Sequence, residues 1–320
     1  MPDSVSDLGE FGLIGAMTER LPQGPGVLLG PGDDSAVVAA PDSRVVVTTD
    51  LLVENRHFRR DWSAAADVGH KAAAQNLADI EAMGARPTAL TVGLGTPLDL
   101  PASWALELAE GLREECAPLG VSVVGGDVVR SDLVIVAVTA LGDLGGAEPV
   151  TRAGAQPGDV VAVCGRLGWA EAGHQVLSRG FRTPRVVVEA HRRPQIPYGA
   201  GVEASRLGAT SMCDVSDGLL GDLGHIAAAS GVRIDIDPAA LDVAGPLREV
   251  ASALGADPLA WVLTGGDDNA LAATFPPDVE LPERWNVIGS VAAKGDGDGD
   301  GVTVAGEPYD GNAGHDHFAG

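Results

Sequence analysis

The chain has 320 residues, long enough for one large or two medium cores, and a hydrophobic content of 45% excludes a disordered polypeptide. Its 45 Asp plus Glu against 21 Lys plus Arg give a formal charge of −24, and so acidic a surface repels nucleic acid and anionic lipid, which argues against both as partners. Lysine occurs only at Lys71 and Lys294, so the charge of any bound polyphosphate would have to be offset by metal ions, arginine or backbone N–H groups.

The N-terminus carries Asp3, Asp7 and Glu10 where a secretion signal would be basic, and the best apolar run, Leu133 to Leu141, is too short to span a bilayer. Val45 to Thr49 is β-branched and nearly unbroken in apolarity, which predicts a buried strand ending at Asp50. Ala64 to Met83 is Ala-rich, free of proline and closed by Gly84, which predicts a helix; Ala102 to Ala117, before Pro118, predicts a second. Leu133 to Ala140 reads as another buried strand, and Asp127 is expected just beyond a strand end. Turn residues at Gly145 to Pro149 and Ala155 to Asp159 mark a change of segment near residue 148. An α/β or α+β domain over 1–147 and a second domain over 148–320 are therefore expected. The second reads as a strand at Val160 to Val163, a Gly165-Arg166-Leu167-Gly168 turn, a helix from about Ser216 to Ser230, a strand at Val232 to Ile236, a helix near Pro246 to Leu254 and a β-rich tail. Cys116, Cys164 and Cys213 are odd in number and without CxxC spacing, as in a reduced, cytoplasmic protein.

Aspartates stand beside glycine or at expected element ends along the whole chain: Gly32-Asp33-Asp34, Thr48-Thr49-Asp50, Asn76-Leu77-Ala78-Asp79, Gly125-Gly126-Asp127, Asp214-Val215-Ser216-Asp217-Gly218 and Gly265-Gly266-Asp267-Asp268. Each alone is an ordinary turn. Asp79, however, shares a helix face with Asn76, where a carboxylate needs a partner. Asp50 and Asp127, at strand ends, would face a crevice of the kind in which such sheets present ligand groups. Asp214 and Asp217 would meet on one turn at a helix start, either as a ligand pair or as N-caps. Converging carboxylates repel unless cations join them, and hard oxygen ligands select Mg²⁺ or Ca²⁺. A metal-neutralised nucleotide fits the scarcity of lysine, yet the Walker A, HRD and DFG motifs are absent.

Asp296, Asp298, Asp300, Gly301 and Glu307 match the EF-hand spacing, but a strand precedes them at Val287 to Val291, Pro308 and Gly311 follow, and Thr303 stands where a large aliphatic is usual. A solvated hairpin is the expectation there. Among seven histidines, His57 stands out, seven residues past Asp50 on the loop leaving the same strand; its ordinary alternative is a surface or capping histidine.

Taken in order, Gly9-Glu10-Phe11 with Ile14, Gly32-Asp33-Asp34, Thr48-Thr49-Asp50 with His57-Phe58, and Asn76-Leu77-Ala78-Asp79 to Met83-Gly84-Ala85 resemble the thiamine-monophosphate kinase family of the aminoimidazole-ribonucleotide-synthetase-like superfamily. So do Gly125-Gly126-Asp127, the run Thr151 to Asp159, Ser216-Asp217-Gly218-Leu219 with Asp222 to Ile226, and the tail Asp316-His317-Phe318, so that the likeness spans essentially the whole chain. The resemblance implies a two-domain α/β fold whose N-terminal sheet forms a homodimer, ATP held between the domains, and transfer of its γ-phosphoryl to thiamine monophosphate. By matching position it implies that Asp34 (or the neighbouring Asp33), Thr48, Thr49, Asp50, Asp79, Asp127, Asp214 and Asp217 hold several Mg²⁺ ions. Gly126, Asp127, Arg152 and Ser216 would contact ATP. His57 and Asp267 would touch the thiamine phosphate, and the aromatic end of the tail, with His315 and Phe318, would cover the vitamin rings. Both reactants are phosphates, so charge neutralisation and alignment carry such a transfer without a protein nucleophile.

The family's usual Gly-Gly-Glu-Asp-Tyr-Glu-Leu is here Gly265-Gly266-Asp267-Asp268-Asn269-Ala270-Leu271, and the tail tyrosine is His315. The alternatives are a relative acting on another phosphorylated acceptor, a non-catalytic ATP-binding subunit, and an acidic calcium-binding protein using residues 296–307.

Overall fold

Two compact units make up the chain: Met1–Ile80 with Ala85–Gly146, and Glu81–Gly84 with Ala147–Gly320. The structure is a computed structural model and describes residues 5–30, 36–295, 301–311 and 314.

In the first unit, α1 (Val5–Thr18) precedes two short antiparallel strands, β1 (Val27–Leu29) and β2 (Val37–Val38). Then come β3 (Val46–Val53), α2 (Ala65–Ala82), β4 (Arg86–Thr96), α3 (Ala102–Cys116), β5 (Ser122–Arg130) and β6 (Ile135–Asp143). The Ala-rich run thus folds as the helix its composition dictates, and Gly84, at φ +72°, terminates it. Strands pair in the order β3-β6-β4-β5; β4 and β5 run parallel across the α3 crossover, and the other pairs are antiparallel. Burial alternates strictly along β6, with Val136, Val138 and Ala140 fully buried and their neighbours partly open. The buried face is the one covered by α2, whose Leu77 and Ile80 are also fully buried.

The opposite face is open on the single chain, Val47 being 62% and Leu51 51% exposed. The expectation of a strand buried on both sides at Val45 to Thr49 is therefore corrected: β3 is an edge strand of a one-sided sheet. A short apolar run carries no mark that separates these two cases.

The second unit contains β7 (Val160–Cys164), α4 (Trp169–Ser178), α5 (Arg185–Arg192), α6 (Ala200–Leu207), β8 (Ser211–Val215), α7 (Leu219–Ser230) and β9 (Val232–Ile236). It continues through α8 (Gly245–Leu254), α9 (Pro258–Thr264), β10 (Ala270–Phe275), β11 (Trp285–Ala293), β12 (Val302–Val304) and β13 (Glu307–Pro308). Seven strands form one sheet, β13-β12-β9-β11-β7-β10-β8, antiparallel except between β12 and β9. Every residue of β8 and β10 is buried, so this end of the sheet is covered on both faces. Phe275 and Trp285 meet edge to face, with centroids 5.3 Å apart, in a core that also holds Leu271, Ala273 and Met212.

Candidate active site

Alternation along β3 sends Thr48 and Asp50 to the α2 side of the sheet and Thr49 to the open side. Thr48 Oγ1 donates to Asp79 Oδ2 at 2.7 Å, so the carboxylate set into the Ala-rich helix has its partner on the adjacent strand. One turn away, Asn76 is fully buried; its Oδ1 accepts the Asp50 N–H at 3.0 Å, and its Nδ2 donates to the Ala72 carbonyl at 2.9 Å. Gln75 Nε2 lies 3.2 Å from Asp50 Oδ2. Thr48, Asp50 and Asp79 are thus gathered on one strand–helix face, where neutral side-chain donors orient both carboxylates. Thr49 is not gathered with them: its hydroxyl donates to the Val138 carbonyl at 2.9 Å on the open face.

Neither Asp50 nor Asp127 ends its strand. β3 continues to Val53 opposite Ile135, and β5 continues to Arg130 opposite Thr96, because pairing with the neighbouring strand outlasts the apolar run. Register places Asp50 in line with Val138, Val92 and Gly126, and Asp127 in the next line with Gly93, Ala137 and Leu51. β3 and β5 are opposite edges of the four-stranded sheet. Three interstrand spacings, about 14 Å, separate them. The first unit therefore does not bring Asp50 and Asp127 together. Gly126 is required by its neighbour, since a β-carbon there would lie 2.0 Å from the Val92 carbonyl oxygen. Asp127 is exposed, and its Oδ1 accepts the Val128 N–H at 2.9 Å.

The loop after β3 holds His57 firmly. Its Nδ1 accepts the Val53 N–H at 2.9 Å, which leaves the proton of the neutral ring on Nε2. Glu54, 6% exposed, accepts Arg60 Nε at 2.6 Å and the Val134 N–H at 3.1 Å, and buried Lys71 directs its Nζ at the His57 carbonyl, 3.5 Å away.

In the second unit the expected helix start at Ser216 is corrected. Asp214 is buried on β8, Ser216 and Asp217 lie in the following loop, and α7 begins at Leu219, so Asp214 and Asp217 do not share a helical turn. Gly218, at φ +123° with a hypothetical β-carbon 2.6 Å from the Thr264 carbonyl oxygen, forces the turn between loop and helix. The residue that organises this loop is Asp222, which the sequence marks only as part of the family run Asp222 to Ile226, with no role: Oδ2 accepts the N–H groups of Ser216, Asp217 and Gly218 at 3.0, 3.1 and 3.1 Å. Burial pushes its carboxyl up to about 6, with the Asp217 charge adding to the rise and the three N–H groups opposing it.

A second loop packs against the first. Asp267, exposed and at φ +66°, donates its N–H to the Ser216 carbonyl at 2.8 Å, and the Asn269 N–H reaches Val215 at 2.9 Å. Asp268, 6% exposed, accepts the Ala170 N–H at the start of α4 at 2.8 Å, while its Oδ2 is buried without a hydrogen-bond partner. Desolvation pushes the Asp268 carboxyl up to about 7, against the N–H groups of Ala170 and Gly168 and the charge of Arg166. Asn269 and Ala270, where the family pattern departs, are buried beneath Asp267, and the Asn269 amide donates to the Asp267 carbonyl at 3.2 Å. Arg152 is exposed on the loop before β7.

Asp33, Asp34, His315 and Phe318 lie outside the described residues, as do Asp296, Asp298 and Asp300 of the EF-hand-like run; the described flanks of that run are the strands β11, β12 and β13. Among the described residues no three His, Cys, Asp or Glu side chains are gathered as a metal site. No described helix is long and apolar enough to cross a membrane.

The family model described as AIR synthase related protein, N-terminal domain, matches residues 32–144. A thiamine-monophosphate kinase of Mycobacterium tuberculosis is 49% identical over 317 residues, 98% of this chain and 93% of the relative. The crystal structure of thiamine monophosphate kinase from Aquifex aeolicus superposes with a TM-score of 0.77 at 30% identity, over 85% of this chain and 91% of that one. A structure of AaThiL complexed with AMPPCP and TMP superposes with a TM-score of 0.78 at 31% identity, over 98% of both chains.

Proposed function

The chain belongs to the thiamine-monophosphate kinase family and has its two-part α/β fold, and from that premise we propose that it is a cytoplasmic kinase transferring the γ-phosphoryl of ATP to thiamine monophosphate, giving thiamine diphosphate. The observation that carries this reading is the likeness over 98% of both chains to the relative whose bound molecules are AMPPCP and TMP.

The donors available suit Mg²⁺. Asp50 and Asp79 with Thr48 offer hard oxygens oriented by neutral partners, and Asp214 on β8 and Asp217 on the loop after it add two more carboxylates. Together with Asp34, Thr49 and Asp127 they would hold several Mg²⁺ ions, and when bound these would offset the repulsion between two phosphorylated reactants. Asp127, about 14 Å from Asp50 across the sheet, would serve a different ion or phosphate from the Asp50 group. Gly126, whose side-chain position is taken by the Val92 carbonyl, would contact ATP through its backbone, and Arg152 and Ser216 would be further ATP-contacting residues by matching position. His57, with its proton on Nε2, would donate to the phosphate of the acceptor, and Asp267, His315 and Phe318 would line the rest of its site.

Thiamine monophosphate is favoured over another phosphorylated acceptor because Asn269 and Ala270 are buried, so these departures alter the packing under the acceptor loop rather than an exposed surface. The open face of the first unit's sheet, with Val47, Leu51 and Val129 exposed in the single chain, would be the homodimer contact. ³¹P NMR of the protein with ATP, Mg²⁺ and thiamine monophosphate tests the activity. Stoichiometric ADP and thiamine diphosphate are expected, and bound nucleotide without acceptor-dependent turnover would refute the kinase.

A further inference from the structure

Asp222 lies one turn inside α7, is 2% exposed, and gathers three successive N–H groups on one carboxylate oxygen. A helix-capping contact would require only the bond to Gly218, the residue that caps α7. The bonds to Ser216 and Asp217 reach outside the helix, into the loop that carries two residues of the proposed nucleotide and metal site. Three N–H groups converging on one anion turn the backbone amides inward. The same loop fixes its neighbour, because the Ser216 carbonyl accepts the Asp267 N–H at 2.8 Å, and a β-carbon on Gly266 would lie 2.4 Å from that carbonyl oxygen.

Resting on the kinase reading above, we propose that Asp222 is a positioning residue: its buried carboxylate sets the backbone of Ser216 to Gly218, and thereby the placement of Ser216, Asp217 and, through Ser216, Asp267 toward Mg²⁺-nucleotide and acceptor. It touches neither substrate.

Two readouts on the full-length protein decide this. Amide exchange at Ser216, Asp217 and Gly218, which needs no ligand and no turnover, should quicken roughly tenfold or more in Asp222→Ala, while α7 beyond its first turn stays protected. Affinity for AMPPCP with Mg²⁺ should fall about tenfold in the same variant, with Asp222→Asn, which keeps an acceptor oxygen but loses the charge-assisted bonds, in between. A lowered melting temperature with wild-type exchange at the three amides and wild-type AMPPCP affinity would reduce Asp222 to a helix cap and overturn the proposal. Should Asp222→Ala not fold, Asp222→Asn matching the wild type in both readouts overturns it equally. Because exchange is read without substrate, failure of the wild type to turn over thiamine monophosphate would count against the kinase reading alone.

Discussion

The strand–helix face of the first unit and the paired loops of the second carry similar acids but hold them by opposite means. Asp50 and Asp79 sit half-buried on regular elements and are oriented by the side chains of Thr48, Gln75 and Asn76. Ser216, Asp217 and Asp267 sit on loops whose backbone is oriented by the buried acids Asp222 and Asp268 and by each other. In the first arrangement the acids are set on a strand and a helix that are already held by ladder hydrogen bonds and apolar burial. In the second, the buried carboxyls are themselves the acceptors that hold loop and helix-start N–H groups, so function and stability are separable in one region and entangled in the other.

The sharpest test of that contrast is Asp50→Ala, which should lower turnover about 100-fold or more with a melting temperature unchanged or slightly raised, since one like charge is removed from Asp79. Wild-type-like activity would sink the metal assignment, and the same holds for Asp127→Ala. In the second unit Asp268→Ala should instead unfold the protein earlier, because the Ala170 N–H at the start of α4 loses its acceptor at about 1–3 kcal/mol, or several °C. A melting curve like that of the wild type would show the loop to be held by its other contacts.

Asp268 also predicts a pH effect of definite sign. Its folded carboxyl lies near 7 against 3.8 when unperturbed, so between those values the native state binds more protons than the unfolded one and stability falls as pH rises. Melting curves of Asp268→Asn and wild type from pH 4 to pH 8 should therefore diverge in favour of the asparagine variant as pH increases, and parallel curves would contradict the raised value. The smallest effect is expected for Thr48→Val, which removes the bond to Asp79 but keeps the shape of the strand. Turnover should drop roughly tenfold with little change in melting temperature, and no change in activity would mean that Asp79 is held in place by other groups.

Much of this is legible in the amino-acid sequence alone. The Ala-rich helix closed by Gly84, the strand at Val232 to Ile236, and the i, i+3 relation of Asn76 and Asp79 follow from local periodicity and capping, which a linear chain displays openly. The family likeness was carried by short runs of Gly and Asp in fixed order, and the relatives that are 30% identical or more across the chain agree with it. Less legible was which acid of each pair does what. In Asp267-Asp268 one carboxylate is exposed and the other buried, and nothing in two adjacent aspartates distinguishes them until Gly266 and Asn269 fix the turn. Asp222 belongs to a run that carries the family likeness, yet its role was not legible because its three partners are backbone N–H groups, which every residue but proline possesses.

By itself the sequence determined the α/β character, the family and the roster of acids, since these rest on composition, on periods of 3.6 and 2 residues, and on motif order. Only the tertiary structure decided that β3 is an edge strand with an open face, that Asp50 and Asp127 stand at opposite edges of one sheet, and that Asp214 and Asp217 are divided between strand and loop. Strand order, register and burial arise from contacts between segments distant in the chain, and such contacts leave no local mark on the residues that make them.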